Sequence, residues 1–540
     1  MTFLVILMLT LACTVLGEEA PNETIISTAI PSPTTISTSS LVHPELPSGR
    51  LTLGIHVEPS HWDVHLTSSP VLASWGPGLV YSRLMRFLSG PGIDVPNMGT
   101  ECDLCTHWEQ VTPTEYKFYI RDDVFWPDID PVNGRTLVAS DIVFSYERQR
   151  TKDYPNAYLL NGIKDLEALD RNTLRITLES PDSDLLAKLA SGYSKVVSHE
   201  AVNVKGDLKH GPVVGTGPWV WGGDRNGIGY FLDANTDYYE NGFPQLDKLA
   251  LFFIPDRQTH MAAFRSGLID LVEMPASDLA TIKKQHPEIE SLIYKEAGNG
   301  LEISLNTRKK PLDNIKIRQA LFKAMDPWSD IENIWQGYEF VSLGMPIANP
   351  EWLLGRDELE EYLLDPAGSA FDMQSFPQQK DIPVVVTVAY FSDRHLEYGR
   401  SVVDKLVGVG LNASLKTISP TKYADEVWFG GDYQVYIGPI APILMPNMYF
   451  DSVLHSRGDW NTHGYSDAHL DDMIDGQRIA LDPLERRDLV IDIQRYVFEK
   501  SLRFMPVTRA SVWAWWPRVN NFSPNLSAGE YFHLAKVGVN

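Results

Sequence analysis

Residues 382–415 carry the pattern that most restricts what this chain can fold into. Ile382 to Tyr390, with the run Pro383-Val384-Val385-Val386-Thr387-Val388, reads as a buried strand. Asp393 is placed to cap a helix that buries Leu396, Val403 and Leu406 and stops at Gly410. Leu411, Ala413 and Leu415 then alternate as a second strand. Strand, helix, glycine stop and strand connect as a right-handed crossover, and that makes the two strands parallel. The expected fold class is therefore α/β. At 540 residues the chain exceeds what one core organises, so two or three packed domains are expected.

Other segments fit this class. Leu51-Thr52-Leu53-Gly54-Ile55 reads as a first strand, and Leu249–Ile254 as a buried one followed by a helix capped by Asp256. Tyr116, Phe118 and Ile120 alternate with polar neighbours, as do Leu174, Ile176 and Leu178, which suggests half-buried hairpin arms. Between them Ser140 is placed to cap a helix bearing Ile142, Val143 and Tyr146. Asp482-Pro483-Leu484-Glu485 opens a late helix as a capping box, and Asp313 is placed to cap one bearing Ile317, Ala320 and Leu321.

The N-terminus points outside the cytoplasm. Residues 1–17 are uncharged and apolar but end at Glu18-Glu19, short of the length a bilayer needs, so they read as an export signal. Leu9-Thr10-Leu11-Ala12-Cys13 resembles a lipobox, which makes Cys13 a candidate lipid-bearing residue; cleavage after Gly17 is the alternative. Residues 18–50 are rich in Thr, Ser and Pro and too poor in apolar residues to pack, as in a linker holding a domain off a membrane. Asp and Glu outnumber Lys and Arg 70 to 46, a formal charge of −24 that repels nucleic acid. Cys102 and Cys105 suit a local disulfide in an oxidising compartment; a metal site lacks a second Cys/His cluster, and a redox pair would be disfavoured by Asp103.

Four stretches in order resemble the solute-binding proteins of ABC importers, family 5, the oligopeptide-, dipeptide- and nickel-binding type. They are Tyr116–Val124 with Gly134-Arg135-Thr136 and Ala139–Arg148, and Pro212–Trp219 with Asn235 and Tyr238-Tyr239. Leu305-Asn306-Thr307 with Pro311–Asn314 and Ile317–Leu321 comes next, then Tyr465–Asp471 with Arg486-Arg487 and Ile493-Gln494. The resemblance implies a two-lobed periplasmic-binding-protein-like fold, class II, with an extra inserted domain and two hinge strands. Lobe one would combine residues 51–80, 206–300 and 505–540, the inserted domain would be 81–205, and lobe two 301–504. Ser304, Leu305, Asn306 and Thr307 would form one hinge crossing, Pro506 and Val507 the other.

By the same resemblance the protein would bind a small solute, a peptide or oligosaccharide, and deliver it to ABC permease subunits as an exported, lipid-tethered monomer. A sensor on the same fold is the alternative. Candidate ligand contacts are Trp75, Asn306, Gly438, Pro439 and Ile440. Peptide-binding relatives place an Asp soon after a Gly-Trp to receive the ligand's ammonium; here Pro439 comes after Gly438, and no acidic residue comes before Asp451. A buried ammonium without a carboxylate is costly, so recognition of a free amine is not expected. His56, His61 and His65 are not spaced as ligands on one strand face, and no metal or cofactor is expected. The chain has no Gly-x-Ser-x-Gly and no His-Glu-x-x-His, the features that would point to a secreted hydrolase.

Overall fold

The computed structural model describes residues 49–225, 227–335, 344–377, 381–439, 445–525 and 530–540. The export-signal and linker expectations, Cys13 and Ile440 lie outside the described residues.

The chain enters on strand β1 (Arg50–Ile55), packs Val64, Leu72 and Leu79 into the lobe-one core, and then passes into the inserted domain. There β2 (Met85–Phe87) pairs with β3 (Thr100–Cys102), and β4 (Cys105–Thr112), β5 (Glu115–Ile120), β6 (Ile163–Ala168) and β7 (Thr173–Leu178) form an antiparallel sheet in the order β4-β5-β7-β6. Tyr116, Phe118, Ile120, Leu174, Ile176 and Leu178 all turn inward onto the helix Ala139–Gln149, as their alternation requires. Ser140 is not that helix's cap. The carboxylate of Asp141 accepts from the Val138 amide at 3.0 Å and pairs with Arg135, so Val138 is the cap and the helix starts two residues earlier. Cys102 and Cys105 are joined as a disulfide. Val197, Ala201 and Val202, within the stretch expected to be inserted, pack in the lobe-one core, while Val214, Tyr238 and Tyr239 pack in the inserted core.

Back in the main body run β8 (Trp219–Arg225), β9 (Gly229–Ala234), β10 (Lys248–Phe253), β11 (Leu271–Met274) and the long β12 (Glu290–Leu305). After them come β13 (Pro383–Ala389), β14 (Asn412–Ile418), β15 (Val435–Pro439) and the long β16 (Arg503–Trp515). They form one ten-stranded sheet, ordered β14-β13-β15-β12-β16-β11-β1-β10-β9-β8. The crossover read from the sequence is present: β13 and β14 are parallel, joined by the helix Asp393–Gly408, with Gly410 at φ +95°. Asp256 and Asp482 cap the helices they precede, whereas Asn314, not Asp313, caps Ile315–Lys323.

This sheet is two half-sheets sharing β12 and β16. Leu301, Ile303, Leu305, Phe504 and Val507 belong to the lobe-two core, while Leu292, Trp513 and Trp515 pack with the lobe-one core. The register between the two strands breaks between Lys295↔Ala510 and Gly300↔Thr508, where β12 carries extra residues. That break is the crossing. Ser304 and Leu305 sit well inside the second half-sheet, paired with Tyr436 and Val435, and Thr307 bonds beyond it to His463. The residues expected as a hinge, 304–307, lie inside or just beyond the second half-sheet, whereas the irregularity that interrupts the ladder lies at 295–300. Pro506 and Val507 flank the crossing on the other strand, Val507 opposite Leu301.

Candidate functional site

In lobe two, β13, β14 and β15 run parallel, and β15 ends at Pro439 opposite Leu301, next to the crossing. In lobe one, β1 is parallel to β10 and β11, and β11 ends at Met274 opposite Val512, on the other side of the crossing. Both sets of parallel strands thus point their carboxyl ends at the crossing. In open α/β sheets the crevice outside the carboxyl ends is where connections leave room for a ligand. Here two such edges flank one crossing.

The lobe-one edge is built from the segments just beyond β1 and β10. His56 donates through Nδ1 to the Ile254 carbonyl at 3.1 Å, and its Nε2 accepts from His260 Nδ1 at 3.1 Å. Burial pushes His260 down to about 4, so His260 is neutral at pH 7. The remaining nitrogen, His260 Nε2, is pressed against Gly54, where a Cβ would stand 2.3 Å from it. The pair offers no open lone pair to a metal. His61 is used by the Asp63 amide and His65 by the Lys195 carbonyl, and among the described residues no group of three His, Cys, Asp or Glu could hold a metal ion. Trp75 stacks on Trp513 with centroids 5.9 Å apart and meets Tyr531 edge-on at 4.5 Å. Trp513 lies opposite Glu273, one residue before the end of β11, so Trp75 is near the edge with part of its ring uncovered.

The lobe-two edge is aromatic. Tyr390 and Phe391, directly after β13, are 40% and 47% exposed. Tyr423 stacks on Tyr436 at 5.8 Å, and both phenols donate to the Pro439 carbonyl, at 2.6 and 3.2 Å. Gly438 is a glycine because the Tyr436 hydroxyl covers it: a Cβ there would lie 1.9 Å from that oxygen. Gly438 and Pro439 are thus on the edge, with their local contacts already taken by tyrosines. Asn306 is not there. It lies at the opposite end of the half-sheet, 1% exposed, its amide donating to the Gly431 carbonyl and its oxygen accepting from Arg308. Asn306 ties the end of β12 to the start of β15.

Two features escaped the sequence reading. Glu302 opposite Gly438 and Arg503 opposite Ser304 share one sheet face and form a buried ion pair. Burial pushes the Glu302 carboxyl up, with Arg503 opposing. Tyr433, Tyr436 and Tyr449 surround the pair, and burial raises all three phenols. The available signal was a lone charge in each of two apolar strand segments, Leu301–Leu305 and Leu502–Val507. The other feature is a polar contact between the inserted domain and lobe two around Asp184 and Arg486. Away from the crevice, a space of about 30 Å³ lined by Arg83, Asp103, Lys195 and Glu530 separates lobe one from the inserted domain. Burial and Arg83 bring Lys195 down to about 7, but the space is of water size.

Residues 100–461 match the family described as bacterial extracellular solute-binding proteins, family 5 middle. The chain belongs to that family. This family 5 protein is 30% identical over 308 residues to heme-binding protein A of Haemophilus influenzae, covering 53% of this chain and 54% of that one. It is 27% identical over 318 residues to the dipeptide-binding protein of Escherichia coli, covering 53% and 56%. The matched region thus spans about half the length of each of these relatives. Its fold is that of HbpA2 from Haemophilus parasuis, with a TM-score of 0.77 at 21% identity over 91% of this chain and 100% of that one. No described helix is long and apolar enough to cross a membrane.

Proposed function

We propose that this family 5 protein is the extracytoplasmic binding component of an ABC importer. It closes two lobes on a small solute at the facing carboxyl edges and delivers that solute, chemically unchanged, to permease subunits. The observation that carries the reading is the pair of parallel-strand edges meeting across only two shared strands, a geometry in which closure brings both edges onto one ligand. Membership of a family of binding proteins, with relatives named for heme and dipeptides, supports it.

The solute is a peptide held through its backbone, or a neutral compound such as an oligosaccharide. The aromatic edge of Tyr390, Phe391 and Tyr423 and the lack of any acidic residue between Asp432 and Asp451 support this choice. The protein works as a monomer outside the cytoplasm, tethered through Cys13 and the Thr/Ser/Pro linker. Native mass spectrometry of protein purified from its own host, followed by calorimetry with the released solute, tests the reading. A retained small molecule is expected; for peptides, N-acetylation should change affinity less than about threefold, under 1 kcal/mol. Strict dependence on the free amine would overturn the solute class, and failure to bind any peptide, glycan or heme would overturn the importer role.

A further inference from the structure

We infer that the inserted domain and lobe two carry a solute-independent latch, centred on Asp184 and Arg486, that sets how far the unliganded lobes close. The inference rests on the two-lobe closure proposed above. Arg486, in the helix Pro483–Glu499, donates through Nη2 to Asp184 Oδ1 at 2.7 Å and through Nη1 to the Ser183 carbonyl at 3.1 Å. The Asn447 amide donates to the other Asp184 oxygen at 3.0 Å, and its side chain donates to Asp182 at 3.0 Å. In return Ser183 donates from its amide, at 3.0 Å, and its hydroxyl, at 2.5 Å, to the Arg478 carbonyl.

These groups are as buried as a core: Asp184 is 2% exposed, Asn447 3% and Arg486 5%. Asp184 precedes the helix Leu185–Ala190 yet caps nothing in it, and both described donors to its carboxylate come from lobe two. A buried carboxylate whose described donors all come from another domain is satisfied in the dry only while the two are engaged. Arg486 is held ready from its own side, by Gln477 at 3.3 Å and the Trp352 ring at 5.4 Å. Preorganisation of one partner lowers the entropic cost of engagement. Asn447 lies on the connection that leaves the crevice edge at Pro439, so latch and solute site share one segment of chain. A solute that binds the closed lobes gains apparent affinity in proportion to the closed fraction the latch maintains.

The test uses full-length protein stripped of solute. Spin labels at the exposed positions Lys164→Cys, in the inserted domain, and Asp488→Cys, in lobe two, report the inter-lobe distance. Wild type should show a short-distance population without any solute. Asp184→Asn, a near-isosteric change, should cut its ratio to the open population about fivefold or more, and Ser183→Ala should cut it less. Arg486→Gln combined with Asp184→Asn should lose little beyond the worse single variant, since the two act on one contact. A wild type with no short-distance population, variants that leave the distances unmoved, or strictly additive losses would each overturn the latch. These distances need no ligand, so failure of solute binding would sink the importer reading without touching them, and the reverse holds.

Discussion

Replacing Glu302 by Gln leaves Arg503 charged, 2% exposed and without a carboxylate partner, beside Tyr433 and Tyr449. Its guanidinium keeps a cation–π contact 5.8 Å from the Tyr449 ring centre, and the glutamine carbonyl can still accept from it, but no negative charge offsets its own. Removing one member of a buried ion pair costs about 3–5 kcal/mol, because the desolvation of the survivor is no longer offset. In a unit the size of lobe two, that lowers the melting temperature by about 10 °C. Arg503→Met should cost less, since burial already pushes the Glu302 carboxyl up and the lone acid can take a proton. Glu302→Met with Arg503→Met removes both charges and should recover most of the loss, ending within about 1 kcal/mol of wild type. Differential scanning calorimetry at pH 7 on the three variants decides it. A double variant as destabilised as the sum of the singles would refute the argument, since it would show the pair acting as two independent anchors.

The same geometry sets further outcomes. His65, His260 and His533 are kept neutral chiefly by burial, at about 4, about 4 and about 3 against an ordinary 6.5. The unfolded chain therefore binds more protons between pH 6.5 and 4: stability is complete above 6.5 and drains as pH falls toward 4, by about 3 kcal/mol from His65 alone. A melting temperature flat over that range would contradict it. Gly300→Ala places a Cβ 2.0 Å from the Val507 carbonyl, backbone against backbone at the crossing, and should cost about 1–3 kcal/mol in thermal melts. Trp75→Ala should weaken binding of the solute recovered from native protein about tenfold in calorimetry; unchanged affinity would confine Trp75 to packing on Trp513 and Tyr531.

The elements of this fold were largely legible because their periods are clean. The Pro383–Val388 run, the alternation at Tyr116–Ile120 and the Asp caps at 256 and 482 each dictate a local structure from a few residues. The hinge was not. Its position depends on where β12 carries its extra residues against β16, a register property that neither strand shows alone. The place of Asn306, at the end of β12 away from Pro439, was hidden for the same reason: proximity to the shared strand is visible in the chain, but which end of it faces the crevice depends on the direction of β15. Gly438 and Pro439 fell on the right edge, yet the tyrosines that occupy their backbone, Tyr423 and Tyr436, come from two elements whose meeting is tertiary. The contacts of Asp184 with Arg486 join positions separated by 302 in sequence, beyond any local pattern.

Small-angle scattering with and without the solute released from native protein addresses the two-lobed closure directly. Adding that solute back to stripped protein should lower the radius of gyration and sharpen the profile toward a single compact particle, with half-saturation at the calorimetric Kd. Profiles that superimpose at saturating solute, from a protein that calorimetry shows to be occupied, would contradict closure of the two edges on one ligand.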